Sequence, residues 1–409
     1  MQRWIKFVKY LRDFGVEPVV YAPLNPQYPM LDPAIADDLP NDIEVLQQPI
    51  WEPYSLASLF SKKKTKTISA GIISEKKKSL TEKMLLWVRG NLFIPDARKY
   101  WAKPSIKYLT KYVKDNDIQT VITTSPPHSI HLIGEGLKQK FPHLRWIADF
   151  RDPWTTIGYH KHLLLTEYSQ RKHKTLEKRI LTSADILITT SQTTKEEFAK
   201  ITNTPIEVIT NGYDNAVQPK AQLSDTFAVS HIGSLLSARN PHTLWKVFAD
   251  MIQTVEGFKD DFELVLAGKI SSDILTELEN LGLGNYITNK RYISHNEAVE
   301  LQQKSQLLLL IEIDSEETKG IIPGKLFEYM VSGRPILAIG PEGWEAAQIV
   351  INTNTGKSVA YNDFDTIKTV LKAWHQQYKQ GKLETHPVGL APYSRRYLTK
   401  RLAEVIFRQ

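Results

Sequence analysis

The chain of 409 residues is 42% hydrophobic and 24% charged, a composition typical of a soluble globular protein, and its length favours two domains. It contains no cysteine, which excludes disulfides, thiolate metal sites and cysteine nucleophiles. No apolar run approaches the roughly 20 residues that a membrane span requires, and the amino-terminal residues lack the apolar stretch of a signal peptide. The sequence therefore predicts a cytoplasmic protein.

Positive charge is concentrated between residues 61 and 114. The whole chain has a net charge of +7, but this segment alone holds 15 Lys/Arg against 3 Asp/Glu, so the remainder is negative. Aromatic residues are interleaved with these charges, and the pattern predicts an anionic partner. Anionic lipid is the main candidate, and a solvated helical face is the alternative. We expect no nucleic-acid partner, because no recognised nucleic-acid-binding motif accompanies the charge.

Helices and strands alternate along the first half of the chain. It opens on a helix over residues 4–14, where apolar residues recur at spacings of three and four. Strands are predicted at 19–22, 42–46, 120–124, 145–148, 185–189 and 206–209, with helices at 130–141 and 166–181. This alternation predicts a parallel sheet with helices on both faces.

A polar stretch at 214–225 interrupts the pattern, and we interpret it as a linker. Beyond it, strands are predicted at 227–232, 262–267, 290–293, 306–311, 335–339 and 356–360, with helices at 240–255, 273–281, 296–304, 325–332, 364–378 and 393–408. The fold class is therefore α/β with two doubly wound halves facing a cleft. Such sheets bind ligands at the carboxyl ends of their strands.

A glycine loop follows the first strand of the second half. Gly233 ends the strand, Ser234 begins the loop, and Arg239 lies just before a helix that starts near Pro241. Free backbone N–H groups and a helix amino terminus suit a phosphate there, and a guanidinium can bind a diphosphate in bidentate fashion. A tight turn beside a surface arginine is the alternative.

The short helix at 325–332 carries two charged residues on one face. Lys325 and Glu328 are three positions apart beside apolar neighbours, and the helix lies between two predicted strands. A carboxylate in this position can accept hydrogen bonds from a ribose diol. An exposed ion pair between the two side chains is the alternative.

Polar and aromatic residues also follow two strands of the first half. Asp149, Arg151, Asp152 and Trp154 come after one strand, and Ser125 and His128 after its neighbour. All are predicted to face the cleft. For Ser125 the alternative is a helix cap, and for His128 a structural role.

Three segments together resemble a known family. They are Ile209-Thr-Asn211-Gly212-Tyr-Asp214, the loop from Gly233 to Arg239, and Lys325-Leu-Phe-Glu328-Tyr. The chain resembles retaining glycosyltransferases of the family 4 type, which have the GT-B architecture of two Rossmann-like domains. It is most similar to a bacterial subgroup with DFRDPW and KLFEYM motifs, common in surface-polysaccharide synthesis such as that of lipopolysaccharide.

The resemblance implies a domain organisation and a set of site residues. It places an acceptor-side domain at 1–217, a nucleotide-sugar-binding domain at 226–385, and a carboxy-terminal helix, 386–409, that crosses back to the first domain. The implied catalytic residues are Arg151, Asp152, Arg239 and Lys325; the donor-binding residues are Gly233, Ser234, Arg239, Ile293, Lys325, Leu326 and Glu328; the acceptor-side residues are Ser125, His128, Asp149, Trp154, Asn211 and Gly212.

The predicted activity is transfer of a sugar, with retained configuration, from a nucleotide-diphosphate sugar to a glycan or lipid-linked acceptor. We expect no cofactor and no metal, since the Asp-x-Asp segments at 115–117 and 363–365 read better as loop or cap residues. The protein would be cytoplasmic and peripheral on the inner face of the plasma membrane. A nucleotide-sugar 2-epimerase of the same architecture and an inactive sugar- or membrane-binding relative are the alternatives.

Two departures from the family pattern accompany the resemblance. The first of the family's paired glutamates should fall at position 320, which here is Gly320, so contacts to the donor sugar must come from Glu316, Glu317 or main chain. The family also begins with a strand and a glycine-rich loop, whereas this chain opens on a helix. Because the first strand of a doubly wound half lies at the centre of its sheet, we expect about 15–20 further residues upstream of Met1.

Overall fold

The structure is a computed structural model that describes residues 2–27, 39–53, 80–156, 160, 163–214 and 221–408. The chain forms two compact units. The first contains Met1–Thr210 together with Arg396–Gln409, and the second contains Asn211–Arg395. Residues 215–220, which are half of the predicted linker, and the first part of the basic segment, residues 61–79, lie outside the described residues.

The described part of the first unit holds two parallel sheets. Four strands pair in the order β3-β4-β5-β6, and two pair as β1-β2. The strands are β1 (Val20–Leu24), β2 (Val45–Pro49), β3 (Thr120–Ser125), β4 (Arg145–Phe150), β5 (Ile186–Thr189) and β6 (Ile206–Val208). The helices are α1 (Gln2–Leu11), α2 (Leu80–Leu92), α3 (Ala102–Asp115), α4 (His131–Lys140), α5 (Glu167–Ser183) and α6 (Gln192–Ala199).

The carboxy-terminal helix completes a core of the first unit. This helix, α14 (Arg395–Phe407), buries Leu398 and Leu402 in one cluster with Phe7 of α1 and Ile188 of β5. The two ends of the chain therefore cover the same face of the four-stranded sheet.

The second unit is one six-stranded parallel sheet in the order β12-β11-β10-β7-β8-β9. Its strands are β7 (Phe227–Ile232), β8 (Phe262–Ala267), β9 (Ile287–Arg291), β10 (Leu307–Ile311), β11 (Ile336–Gly340) and β12 (Gly356–Ala360). Its helices are α7 (His242–Thr254), α8 (Phe258–Asp261), α9 (Ser272–Asn280), α10 (His295–Lys304), α11 (Lys325–Val331), α12 (Glu345–Asn352) and α13 (Phe364–Lys379).

The sheet of the second unit has the doubly wound dinucleotide-binding order, in which the chain starts at the centre and winds outwards in both directions. Apolar clusters cover both of its faces. The predicted α/β class with two Rossmann-like halves is confirmed. No helix in the described part of the chain combines the length and apolarity needed to cross a membrane.

Candidate active site

The crevice between β7 and β10 is the first place to look for a ligand. These two strands are neighbours, yet the chain leaves β7 toward β8 and leaves β10 toward β11 on the opposite side. A topological switch point of this kind opens a crevice at the carboxyl ends of the two strands, where ligands of doubly wound sheets bind. The residues that follow the two strands, Gly233 and Glu312, lie at this edge.

Two glycines form the floor of the crevice. Gly233 and Gly268, which follow β7 and β8, both have a φ of 122°, a conformation that side-chain-bearing residues rarely adopt. A Cβ at Gly268 would lie 2.3 Å from the carbonyl oxygen of Gly233, so the two loops are in direct backbone contact. A Cβ at Gly233 would lie 3.6 Å from the Nζ of Lys325. The predicted glycine loop and the predicted lysine are therefore brought together.

Lys325 extends from the start of α11 to the end of β7. Its Nζ donates to the carbonyl oxygen of Ile232 at 3.0 Å. Burial lowers the pKa of Lys325 to about 7; the nearby charge of Arg239 also lowers it, whereas Glu312 opposes the shift. The lowered pKa means that the ammonium is short of compensating negative charge in this structure.

Arg239 is bound to a carboxylate rather than free on the surface. Its Nε and Nη2 donate to Oε1 and Oε2 of Glu312 at 2.8 and 3.0 Å. Glu312 is fully buried, while the arginine side chain is 32% exposed. When Lys325 is protonated, two cations and one carboxylate leave an excess positive charge beside Gly233, which suits an anionic ligand.

Glu328 is also held by a side chain that the sequence did not indicate. Its Oε2 accepts from the Nε2 of Gln302, a buried residue of α10, at 3.0 Å. The fixed carboxylate leaves Oε1 for another donor. The alternative, an exposed ion pair between Glu328 and Lys325, is not formed, because the lysine binds the carbonyl oxygen of Ile232 instead.

The other predicted donor-binding residues, Ser234, Ile293 and Leu326, differ in how far their side chains are buried. Ser234 is exposed beside the glycine, and Ile293 is partly buried against the apolar cluster below α11. The side chain of Leu326 is fully buried in that same cluster, and its N–H donates to Pro323 O at 3.0 Å. The side chain of Leu326 is therefore a core group, and its assignment as a donor-binding residue stays a prediction.

Asp149 has a structural role that overturns its acceptor-side assignment. The carboxylate is fully buried and accepts both contacts from Arg3 Nη1, at 2.7 and 2.8 Å. It also accepts from Trp4 Nε1 at 2.7 Å and Thr124 Oγ1 at 2.6 Å. With its oxygens occupied by these donors, Asp149 fixes the start of α1 to the end of the sheet.

His128 and Trp154 are also internal. The two rings stack with centroids 4.9 Å apart, and both residues are buried. The indole Nε1 of Trp154 donates to Nδ1 of His173 at 3.2 Å, and burial holds the pKa of His128 well below its ordinary value. Neither ring presents a surface to an acceptor, so both are corrected to core residues.

Ser125, predicted as an acceptor-side residue, does not form the helix cap that was the alternative. Its Oγ is buried and has no partner within the described parts of the chain. The following helical turn is instead bound by Asp96, whose Oδ2 accepts from the N–H of Ser129 at 2.8 Å.

Arg151 and Asp152 remain accessible at the end of β4. Their side chains are partly exposed and lie 3.4 Å apart, as Arg151 Nε to Asp152 Oδ2. The backbone there is fixed, since Thr190 Oγ1 donates to Arg151 O at 2.7 Å. Asn211 and Gly212, predicted on the acceptor side, are the first residues of the second unit, where the next residue, Tyr213, donates its N–H to Tyr393 O at 3.1 Å.

No group of three or more side chains among the described residues is arranged to hold a metal ion. Sequence reasoning missed Glu312 and Gln302, the two side chains that fix Arg239 and Glu328. Glu312 had one available signal, its place directly after a continuous apolar strand. Gln302 had none, because an amide on a polar helix does not reveal its partner.

The chain matches one known family over part of its length. The sequence profile of Glycosyltransferase Family 4 matches residues 72–217. No curated protein matches the sequence.

Three solved structures illustrate the likeness in fold. The lipopolysaccharide outer core galactosyltransferase WaaB in its apo form has a TM-score of 0.54 at 15% identity, over 92% of this chain and 86% of that one. WaaG, a glycosyltransferase involved in lipopolysaccharide biosynthesis, has 0.53 at 13%, over 100% and 95%. A putative UDP-N-acetylglucosamine 2-epimerase from Listeria monocytogenes has 0.54 at 13%, over 99% and 92%. The chain has the two-domain GT-B fold.

Proposed function

We propose that the protein is a glycosyltransferase that takes its sugar from a nucleotide-diphosphate sugar bound at the crevice of the second unit. The observation that carries this proposal is the pair of cations, Lys325 and Arg239, above the glycine floor at the carboxyl ends of β7 and β10. A diphosphate supplies the negative charge that this site lacks. Glu328, fixed by Gln302, would then accept hydrogen bonds from the ribose.

In glycosyl transfer, negative charge develops on the leaving diphosphate, and the site must stabilise this charge. Preorganised donors aimed at such charge are worth about 10²–10³ in rate each. Lys325 and Arg239 supply the charge here, and the proposal requires neither a metal nor another cofactor. The configuration at the anomeric carbon would be retained, and Arg151 and Asp152 of the first unit stay predicted catalytic residues.

The proposed acceptor is a glycan or lipid-linked saccharide of a bacterial surface polysaccharide. Support comes from the two fold neighbours whose names place them in lipopolysaccharide synthesis. Such an acceptor is found at a membrane, and the first unit has a surface suited to one. We define the α2 stripe as Leu80, Met84 and Trp87, which follow one another at helical spacing and are 86%, 66% and 42% exposed.

Lysines and aromatic rings also lie near the end of α2, where Lys99 Nζ donates to Leu92 O at 2.8 Å. Lys99 Nζ lies 5.2 Å from the ring centroid of Tyr100, and Lys172 Nζ lies 5.9 Å from that of Tyr168. Burial and the charge of Lys172 lower the pKa of Lys99, so an anionic group beside them would relieve their repulsion. Exposed apolar and aromatic residues beside lysines are typical of peripheral binding to anionic lipid. We propose this attachment for a cytoplasmic protein at the inner face of the plasma membrane.

A nucleotide-sugar 2-epimerase is the second candidate, because one of the fold neighbours is a putative enzyme of that kind. Incubation with labelled UDP- and GDP-sugars in D₂O separates the possibilities. A transferase should transfer the sugar to an acceptor extract and hydrolyse the donor slowly without one. Inversion at C2 with deuterium uptake would establish the epimerase instead. Neither reaction with any donor, together with no donor binding, would identify an inactive relative and overturn the proposal.

A further inference from the structure

We propose that Glu312 is a positioning residue of the diphosphate site, which holds the Arg239 guanidinium so that its remaining donors face the ligand. This inference rests on the proposed function and adds a residue to its machinery. The three side chains involved, Glu312, Arg239 and Lys325, come from three separate segments that meet at the crevice.

The contacts fix the orientation of the guanidinium. Glu312 accepts from Nε and Nη2 of Arg239, which uses one edge of the planar group. Within the described chain no partner is found for Nη1, the donor at the other edge. A guanidinium held along one edge keeps its second edge in a defined plane, which is the arrangement that bidentate recognition of a phosphate needs.

Glu312 is itself rigidly held. It follows β10 directly and its N–H donates to Ile339 O of β11 at 2.9 Å. Its Oε1 also accepts from the N–H of Ile313 at 2.9 Å. The carboxylate is fully buried, so it cannot exchange its arginine for water. The orientation of Arg239 is thus set by the sheet rather than by a flexible surface loop.

The ion pair between Glu312 and Arg239 differs from a purely structural one in the burial of its two partners. Replacing a buried ion pair by apolar groups is often neutral for stability, so such a pair is weak evidence of a stabilising purpose. Here one partner is buried while the other is one-third exposed beside a second cation, Lys325. The carboxylate also opposes the loss of the Lys325 proton, so it favours the charged form of the lysine that binds an anion.

The test compares Glu312→Gln and Glu312→Asp with the wild type on the best nucleotide-sugar. Gln keeps the size of the side chain but loses its charge, so we expect kcat to fall about 10- to 100-fold with a smaller change in KM. Asp keeps the charge and should retain more activity than Gln. The midpoint of donor binding against pH should also move to lower pH in Glu312→Gln. Asp261→Asn, which removes a different carboxylate of the same unit from its histidine partner at 2.7 Å, is the matched control and should change none of these values.

A double-mutant cycle shows whether Glu312 acts through Arg239. Calorimetry with inorganic pyrophosphate should find weaker binding in Glu312→Gln and in Arg239→Ala, with little further loss when both are combined. Additive losses, or wild-type kinetics and an unmoved pH midpoint in Glu312→Gln, would overturn the inference while leaving the proposed function intact. A wild-type protein that binds no nucleotide-sugar would overturn both. If Glu312→Gln does not fold, the same comparisons on Glu312→Asp decide the matter.

Discussion

At the scale of single residues, the ionisation of Lys325 links donor binding to pH. Its pKa of about 7 in the free protein lies far below the ordinary 10.5. A bound diphosphate favours the charged ammonium and must raise this pKa, so binding above pH 7 takes up a proton. Affinity should therefore be highest below about pH 7 and fall as the pH rises toward the pKa of the complex.

Calorimetry with a nucleotide-sugar in buffers of different ionisation heat measures this proton uptake directly. The sugar diphosphate itself does not titrate in this range. The slope of the observed binding enthalpy against the ionisation enthalpy of the buffer therefore reports the protons taken up by the protein. The Lys325→Met protein should bind the nucleotide-sugar weakly, and its binding enthalpy should not depend on the ionisation enthalpy of the buffer. A wild-type affinity that is flat between pH 6 and about 9 would contradict the role assigned to Lys325.

The sequence predicted the positions of the site residues along the chain, but it did not show which of their side chains would be buried. Gly233, Arg239 and Lys325 followed strand ends or a helix start, and the fold brings them together. Asp149 and Trp154 occupied equally suggestive places, but burial turned them into core groups. Strand-end position identifies the edge of a sheet and does not distinguish an exposed functional side chain from a buried structural one.

At the scale of elements, continuous apolar runs located the strands well. The predicted strands 227–232 and 262–267 match β7 and β8, because both are buried on two faces. The strand predicted at 290–293 is instead β9, Ile287–Arg291, whose sequence is largely polar since it lies at the edge of the sheet. Helices α2 and α3 were not predicted individually, because the basic segment around them was interpreted by its charge and not by its apolar periodicity.

The bonds of Asp149 should hold α1 in place. Asp149→Ala leaves the buried Arg3 charge uncompensated, and breaking a buried pair in this way costs about 3–5 kcal/mol. Urea unfolding followed by tryptophan fluorescence measures the loss. The control is Asp13→Ala, which removes a partly exposed partner of Arg396 and should cost less than about 1 kcal/mol. Equal small effects of the two changes would contradict the structural role.

The α2 stripe should determine attachment to anionic lipid. The double change Met84→Ser and Trp87→Ser should reduce binding to phosphatidylcholine vesicles containing phosphatidylglycerol. Binding of the wild type should also fall between low and high salt, since the Debye length is about 10 Å at 0.1 M and about 3 Å at 1 M.

Ile351→Ser, which removes an equally exposed apolar side chain from α12 of the second unit, is the control and should bind like the wild type. Sedimentation with the vesicles measures all three proteins. Binding that ignores salt, lipid charge and the stripe would leave the surface as a solvated helical face.

At the scale of the whole molecule, the chain does not divide at a single point. The first unit takes its last helix from the far end of the chain, whereas the second unit is built from one continuous stretch. The amphipathic pattern at 393–408 predicted this helix, but its place required the resemblance, because a pattern shows that a face is buried and not what it is buried against. The second unit has its own two apolar clusters.

Deletion of residues 396–409 should therefore act on the first unit alone. It removes the buried Leu398 and Leu402, and each fully buried leucine contributes about 1.5–3 kcal/mol. We expect one thermal transition for each unit, and the single change Leu402→Ala should cost about 2–5 kcal/mol and lower only the transition of the first unit. A nucleotide-sugar should still raise the other transition in both proteins, because its proposed site lies entirely between Asn211 and Arg395. Loss of both transitions in the Leu402→Ala protein would show that the second unit depends on the first for its stability.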